Sequence, residues 1–196
     1  MKKTILTILS TLIVLILLFF IYISSGAYDI SQLSPHNGLT KSIIRKTTHS
    51  SINKRMGENT VPANLKDTTQ LIAGFKIYNE MCLDCHGSAN VKQEGFTEGL
   101  YPKPPKLFKK NEEDAAQEFF WIIKNGIKMT SMPAYKPILT DDKIWAVTAF
   151  VTQKIGKMSA EEYNMWSKKY GEEDEANEHQ GKTNETEENE SEKAGE

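Results

Sequence analysis

The sequence predicts an all-α protein with an N-terminal membrane helix and a disordered acidic tail. Three observations lead to this class. Apolar residues recur at three-to-four spacing in several segments of the middle of the chain, which is the period of amphipathic helices. No segment shows the alternation of apolar and polar residues that predicts a half-buried strand. The two ends differ from this middle part, because one is an unbroken apolar run and the other is polar.

The first element is an uncharged apolar run, residues 4–23, which follows Lys2 and Lys3. At ~1.5 Å per residue, a helix of this length just crosses a hydrocarbon core of ~30 Å. Lysines before the run and none close behind it favour residues 1–3 in the cytoplasm and the rest of the chain outside. A cleaved signal peptide is the competing interpretation because residues 25–27 are small, although signal cores usually have only ~7–15 residues.

A polar stretch with scattered apolar residues follows, residues 24–66. We expect a linker that partly wraps the next domain, with one short helix around residues 40–48. At Asp67 the pattern changes, because this residue can cap a helix. The apolar positions of that helix are Leu71, Ile72, Phe75, Tyr78 and Met81. It opens the predicted domain, residues 67–158, and leads directly to Cys82.

Three further helices are predicted beyond a loop region rich in glycine and proline, residues 87–110. The first runs over about residues 112–124 and ends at Asn125-Gly126, a pair typical of left-handed helix ends. The next begins at the N-cap Thr140. The last, residues 159–170, opens with the Ser-x-x-Glu pattern of a capping box.

The last segment, residues 171–196, carries eleven acidic residues and two lysines, a net charge of −9. Because the whole chain carries −2, residues 1–170 carry +7. The segment has no aromatic residue and no aliphatic residue larger than alanine, so it cannot bury enough surface to offset its ordering entropy. We therefore expect a disordered tail, which either shields a basic surface of the domain or aids solubility.

The motif Cys82-Leu83-Asp84-Cys85-His86 contains both cysteines of the chain, too close together for a typical structural disulfide. Two thiols at this spacing can add to the two vinyl groups of a haem, and the adjacent imidazole then lies under the iron. A thioredoxin-like dithiol or half of a zinc site are the alternatives. The first calls for a βαβ pattern and the second for a further spaced pair of ligands, and the sequence shows neither.

Two methionines downstream, Met129 and Met132, are candidates for the second axial ligand. Pro133 restricts Met132 to an extended backbone, which can hold the thioether towards the iron. We therefore expect Met132 to be the ligand. Met129 is expected to fill a gap in the core, as methionines commonly do, and is the weaker candidate for the iron.

Residues 67–158 resemble the monohaem class I cytochromes c, especially their short bacterial branch. The motifs that carry the resemblance are Gly74 to Tyr78, Cys82 to Gly87, Pro104 to Leu107, Asn125 to Ile127, Ser131 to Tyr135, and Ile144 to Val151. The resemblance implies the cytochrome c fold, with three to four helices around one covalent haem c. It also implies that the first and last helices of the domain cross at Gly74, near Trp145 and Phe150.

By the same resemblance, the carbonyl of Pro105 would accept the second ring hydrogen of His86 and fix its tautomer. The expected cofactor-binding residues are thus Cys82, Cys85, His86, Met132 and Pro105. Of these, His86 and Met132 are the expected iron ligands.

Other residues have two interpretations each. Trp121 and Tyr101 either donate hydrogen bonds to haem propionates or belong to the core. A group of lysines forms either a docking face for an acidic redox partner or an ordinary solvated surface. These lysines are Lys103, Lys106, Lys109 and Lys110.

We expect an electron carrier at the outer face of the cell membrane rather than an enzyme. An iron with two axial protein ligands has no free position for a substrate, and no acid–base pair or nucleophile accompanies the motif. The alternatives are a gas sensor or peroxidase-like enzyme with a labile Met132, and a bound haem subunit of an oxidase, reductase or dehydrogenase. The expected partners are redox proteins and, through the N-terminal helix, the membrane, but no nucleic acid.

Replacing Cys82 and Cys85 together by alanine should abolish covalent retention of haem, because only this pair has the required spacing. In the unaltered protein, acid–acetone extraction should leave the colour with the polypeptide. Colour that stayed with the double variant would show that the attachment site lies elsewhere.

Overall fold

A computed structural model of the chain describes residues 1–109 and 115–171. Within these ranges the protein consists of helices and loops without a strand, so the predicted all-α class is confirmed. The α-helices are α1 (Lys2–Ser24), α2 (Gly38–Met56), α3 (Thr68–Met81), α4 (Leu83–His86), α5 (Ala116–Asn125), α6 (Asp141–Phe150) and α7 (Ala160–Tyr170). Short 3-10 helices lie at Gly95–Gly99 and Leu107–Lys109, and a π-helical turn, Val151–Ile155, continues α6.

Helix α1 belongs to a compact unit of its own, residues 1–37, and the second unit begins at Gly38. The side chains of α1 are exposed along its whole length. Of the helices that the structure describes, α1 alone is long and apolar enough to cross a membrane, with a mean hydropathy of 2.9. A signal sequence near the N-terminus has the same properties, so both interpretations of residues 4–23 remain.

The stretch predicted to be a linker contains a longer helix than expected. Instead of a short helix around residues 40–48, α2 covers 19 residues and packs against α5. Its one buried side chain is Ile52. Just beyond α2, the carbonyl of Asn59 accepts a hydrogen bond of 2.8 Å from the Gln117 side chain of α5.

Helices α3 and α6 approach each other closely at Gly74. A Cβ atom added to Gly74 would lie 2.0 Å from the carbonyl oxygen of Ala146 and 2.9 Å from Cβ of Phe150. The predicted crossing at Gly74 and Phe150 is therefore present, with Ala146 as the nearest residue. Trp145 stacks on Phe120 of α5, with ring centroids 4.0 Å apart.

Aromatic rings from three helices fill the centre of the domain. Phe75 of α3 contacts Phe150 of α6 and Tyr163 and Trp166 of α7, with centroids 5.5 to 5.6 Å apart. Tyr78, one turn further along α3, also lies against Phe150. This cluster holds α7 on the outer side of the α3–α6 pair.

Most predicted helix ends match the structure closely. The hydroxyls of Thr140 and Ser159 cap α6 and α7 by accepting backbone N–H groups. Asp67 precedes α3 but makes no side-chain cap. Helix α5 ends at Asn125, and Gly126 has the expected positive φ of 65°. The predicted acidic tail lies outside the described residues except for Gly171.

Replacing Gly74 by alanine should destabilise the protein strongly, because the new Cβ would clash with backbone atoms of α6. These atoms can move away only if the whole helix shifts. We expect the free energy of unfolding to fall by about 3 kcal/mol. Gly95→Ala is the matched control, since no atom lies within 4 Å of its added Cβ. Denaturant titrations of both variants measure the difference. Equal stability of the two would contradict the close packing at Gly74.

Candidate functional site

A cavity of about 270 Å³ opens between α4, α5 and the loop that follows α5. Most of its wall is apolar: Met81, Leu107, Phe119, Ile122, Ile123, Ile127 and Val151. The five residues predicted to bind a cofactor also line it: Cys82, Cys85, His86, Pro105 and Met132. The fold therefore brings together side chains that lie up to 50 positions apart in the sequence.

The cysteines and the histidine are held on the single turn of α4 and the residue before it. The backbone N–H of His86 donates to the carbonyl of Cys82 at 2.9 Å. Gly87 ends the turn with a positive φ of 67°, and an added Cβ would lie 2.9 Å from the carbonyl oxygen of Val91. The hydroxyl of Tyr78 donates to the carbonyl of Gly87 at 2.7 Å, which fixes the turn to α3.

Both cysteines are free and partly buried. Burial raises the pKa of Cys82 to about 12, and burial together with the Asp84 carboxylate raises the pKa of Cys85. Both are therefore neutral thiols at pH 7. A thioredoxin-like dithiol needs a lowered thiol pKa, so this environment does not favour that alternative. Among the described residues, no group of three or more His, Cys, Asp and Glu side chains could hold a metal ion.

The imidazole of His86 is oriented by the loop that faces it. Its Nδ1 lies 2.8 Å from the carbonyl oxygen of Pro105. A carbonyl can only accept, so Nδ1 carries the hydrogen and Nε2 keeps its lone pair. Burial lowers the pKa of His86, and the bond to Pro105 opposes this only in part, so the ring is neutral at pH 7. This is the form that binds metals.

Gln93 is a residue of the site that the sequence did not single out. Its side-chain N–H₂ donates to the carbonyls of Cys85, at 2.7 Å, and Pro104, at 2.9 Å. One side chain thus joins the turn that carries His86 to the segment that carries Pro105. A glutamine in an irregular loop has no spacing that marks it, so only the coordinates reveal this bridge.

The loop after α5 places Met132 at the cavity wall. The backbone carbonyl of Met132 accepts from the N–H of Ile127 at 3.2 Å, and its N–H donates to the hydroxyl of Thr130 at 3.1 Å. The hydroxyl of Tyr135 donates to the carbonyl of Met81 at 2.9 Å, which ties this loop to the end of α3.

The expectation that Met129 fills a gap in the core is wrong. Its side chain is 90% exposed, and its backbone has a positive φ of 60°. It lies in the tight turn that precedes Met132, and it does not line the cavity. The same turn therefore presents one methionine to solvent and the other to the cavity.

The other predicted site residues lie at the edge of the cavity or outside its wall. Trp121 and Tyr101 are partly buried and are absent from the cavity wall. Lys103 lines the cavity and forms an ion pair with Glu98. The remaining lysines of the predicted docking face are Lys106 and Lys109, which are exposed, and Lys110, which lies outside the described residues.

These side chains fit a haem c. The cavity wall offers two neutral thiols for the vinyl groups, an imidazole nitrogen with a free lone pair, and a thioether. The apolar remainder of the wall suits a large apolar ring system.

Comparisons with known proteins agree with this chemistry. A family model described as Cytochrome C oxidase, cbb3-type, subunit III, matches residues 69–151. Cytochrome c6 of Leptolyngbya boryana is 31% identical over 85 residues, which cover 43% of this chain and 93% of that protein. No solved structure matches the chain.

Replacing Gln93 by alanine should weaken the link between the turn that carries His86 and the segment that carries Pro105. Two partly buried carbonyls lose their shared donor, so we expect the free energy of unfolding to fall by about 1–2 kcal/mol. Lys92→Ala, at the exposed neighbouring position, should change it by less than about 0.5 kcal/mol. Urea unfolding measures both, and a Gln93 variant as stable as the control would show that the bridge is not formed in solution.

Proposed function

The chain belongs to the monohaem class I cytochrome c family, and we propose that it carries single electrons through one covalent haem c attached at Cys82 and Cys85. In this proposal His86 and Met132 are the axial ligands of the iron. The observation that carries it is that these four side chains line one cavity, with His86 held by Pro105 so that Nε2 is free.

Attachment requires no oxidant. The thiols of Cys82 and Cys85 would each hold the ring through a thioether, formed by net addition of S–H across one vinyl group. The spacing of Cys82 and Cys85 on one turn lets both reach the same edge of the ring.

Bound in this cavity, haem c supplies an iron that exchanges single electrons between its ferrous and ferric states. The bond from Nδ1 to Pro105 orients the His86 ring and makes Nε2 a better ligand. Met132 contributes a soft, neutral thioether, which favours the ferrous state and raises the reduction potential. With both residues bound, the iron would have no free position for a substrate, which supports a carrier rather than an enzyme.

We further propose that residues 4–23 remain as a membrane anchor and that the haem domain lies on the extracytoplasmic side. Lysines precede the apolar run and none closely follow it, which supports this orientation. The partners are then redox proteins reached from that side. Lys106 and Lys109, both exposed, suit an acidic partner surface.

A second candidate function is a bound haem subunit of an oxidase. It is favoured by the family model that matches residues 69–151, which is described as a subunit of a cbb3-type oxidase. The haem chemistry would be the same in both cases and only the partner differs. Stable co-purification with an oxidase in mild detergent would favour the subunit, whereas recovery of the chain alone would favour the carrier.

The axial thioether is tested by replacing each methionine in turn. Met132→Ala should abolish the near-infrared charge-transfer band of the ferric protein, lower the reduction potential and allow ferrous iron to bind carbon monoxide. Met129→Ala is the matched control and should leave all three unchanged, because its side chain points into solvent. Absorption spectroscopy and a redox titration measure these quantities.

The reverse pattern would identify Met129 as the ligand. If the unaltered ferrous protein bound carbon monoxide readily, Met132 would be labile or not bound. The gas sensor or peroxidase-like alternative would then replace the carrier.

A further inference from the structure

The N-terminal half of α2 is not held by the core of its domain. No side chain from Gly38 to Thr47 is buried, and the buried residue of this helix is Ile52. Leu39 is 73% exposed and Ile43 is 56% exposed. Ile43 precedes Ile52 by nine residues, which at about 100° per residue places it on the opposite side of the helix. The outer face of α2 therefore carries large apolar side chains that the domain does not cover.

The same helix is strongly basic. It contains five lysines and arginines and no acidic residue: Lys41, Arg45, Lys46, Lys54 and Arg55. Three of them lie in the exposed half, interspersed with Leu39 and Ile43. Basic side chains among exposed apolar ones are typical of helices that lie in the interface of a membrane with anionic lipids.

The position of α2 in the chain favours a lipid surface over a protein partner. Only 13 residues, Ser25 to Asn37, separate it from α1. This connecting stretch also carries large exposed side chains, namely Tyr28, Ile30 and Leu33. Exposed apolar residues thus continue from the end of the apolar helix into α2, where a bilayer spanned by α1 would be within reach.

We propose that the N-terminal half of α2 lies on a bilayer surface that contains anionic phospholipids. Leu39 and Ile43 enter the headgroup boundary, and Lys41, Arg45 and Lys46 contact lipid phosphates. This inference rests on the proposal that α1 is a retained anchor.

The contact would also orient the cavity. Gln117 of α5 is bonded to Asn59 beyond α2, whereas Phe119 and Ile122, on the other side of α5, line the cavity. A bilayer beneath α2 therefore leaves the cavity facing the aqueous phase, where a soluble redox partner can approach it.

The test uses the full haem-loaded chain with Ile43→Cys carrying a nitroxide spin label, reconstituted into lipid nanodiscs. Ile138→Cys, at another exposed isoleucine outside α2, is the control position. In discs with three parts phosphatidylglycerol to seven parts phosphatidylcholine, the label at position 43 should be open to oxygen and protected from a water-soluble nickel chelate. In phosphatidylcholine alone the protected fraction should fall about fivefold or more. The label at position 138 should be aqueous in both.

Variants with reversed charges provide a second test of the same contact. Lys41→Glu with Lys46→Glu should expose the label at position 43 even in anionic discs. Lys136→Glu with Lys143→Glu makes the same charge change at exposed sites outside α2 and should leave it protected.

An aqueous label in anionic discs would overturn the proposal. Equal protection in neutral discs would show apolar contact without the anionic lipid. A label shielded from both oxygen and the nickel chelate would show a protein contact. Either result overturns the proposal too. Failure of the anchor proposal would be detected separately, because the chain would then not enter the discs at all. Failure of haem attachment would also be detected separately, because Cys82 and Cys85 would then be free thiols and would carry additional spin labels.

Discussion

The contact of α3 with α6 at Gly74 is the constraint on which the rest of the domain depends. A hydrogen in place of a side chain lets the two helices meet backbone to backbone, and no other residue allows this distance. Helix α3 runs directly into Cys82, and the turn after α6 supplies Val151 to the cavity wall. The crossing therefore sets the distance between two walls of the cavity. The aromatic cluster around Phe75 and Phe150 then fills the space above the crossing and holds α7.

The other walls of the cavity are irregular loops, and a few polar contacts hold them in place. Gln93 joins two backbone carbonyls on either side of the histidine. Tyr135 joins the methionine loop to the end of α3. The helical pair thus leads into the turn that carries the cysteines, while hydrogen bonds from single side chains align the segments that orient the imidazole and present the thioether.

The sequence predicted most of the helices because their signals are local. Cap residues such as Thr140 and Ser159, and the Asn125-Gly126 stop, act within one turn, and the structure has them in place. The motif around Cys82 and the Met-Pro step at Met132 identified side chains that the fold brings to one cavity. The extent of α2 was not predictable, because its apolar residues form no single stripe and most of them are exposed. Gln93 and Met129 depend on loop geometry, which neither spacing nor composition encodes.

The turn at Met129 has a chemical consequence for the whole domain. Oxidants in the surrounding water meet a thioether according to its accessibility, and conversion to the sulfoxide makes the side chain polar. Met129 is 90% exposed, whereas Met132, three residues later, is partly buried and lines the largely apolar cavity. Oxidation at the outer position adds a polar oxygen where water already surrounds the group, so the packing is unaffected. Of the two sulfurs in this segment, oxidants in the water therefore reach first the one whose oxidation the fold tolerates.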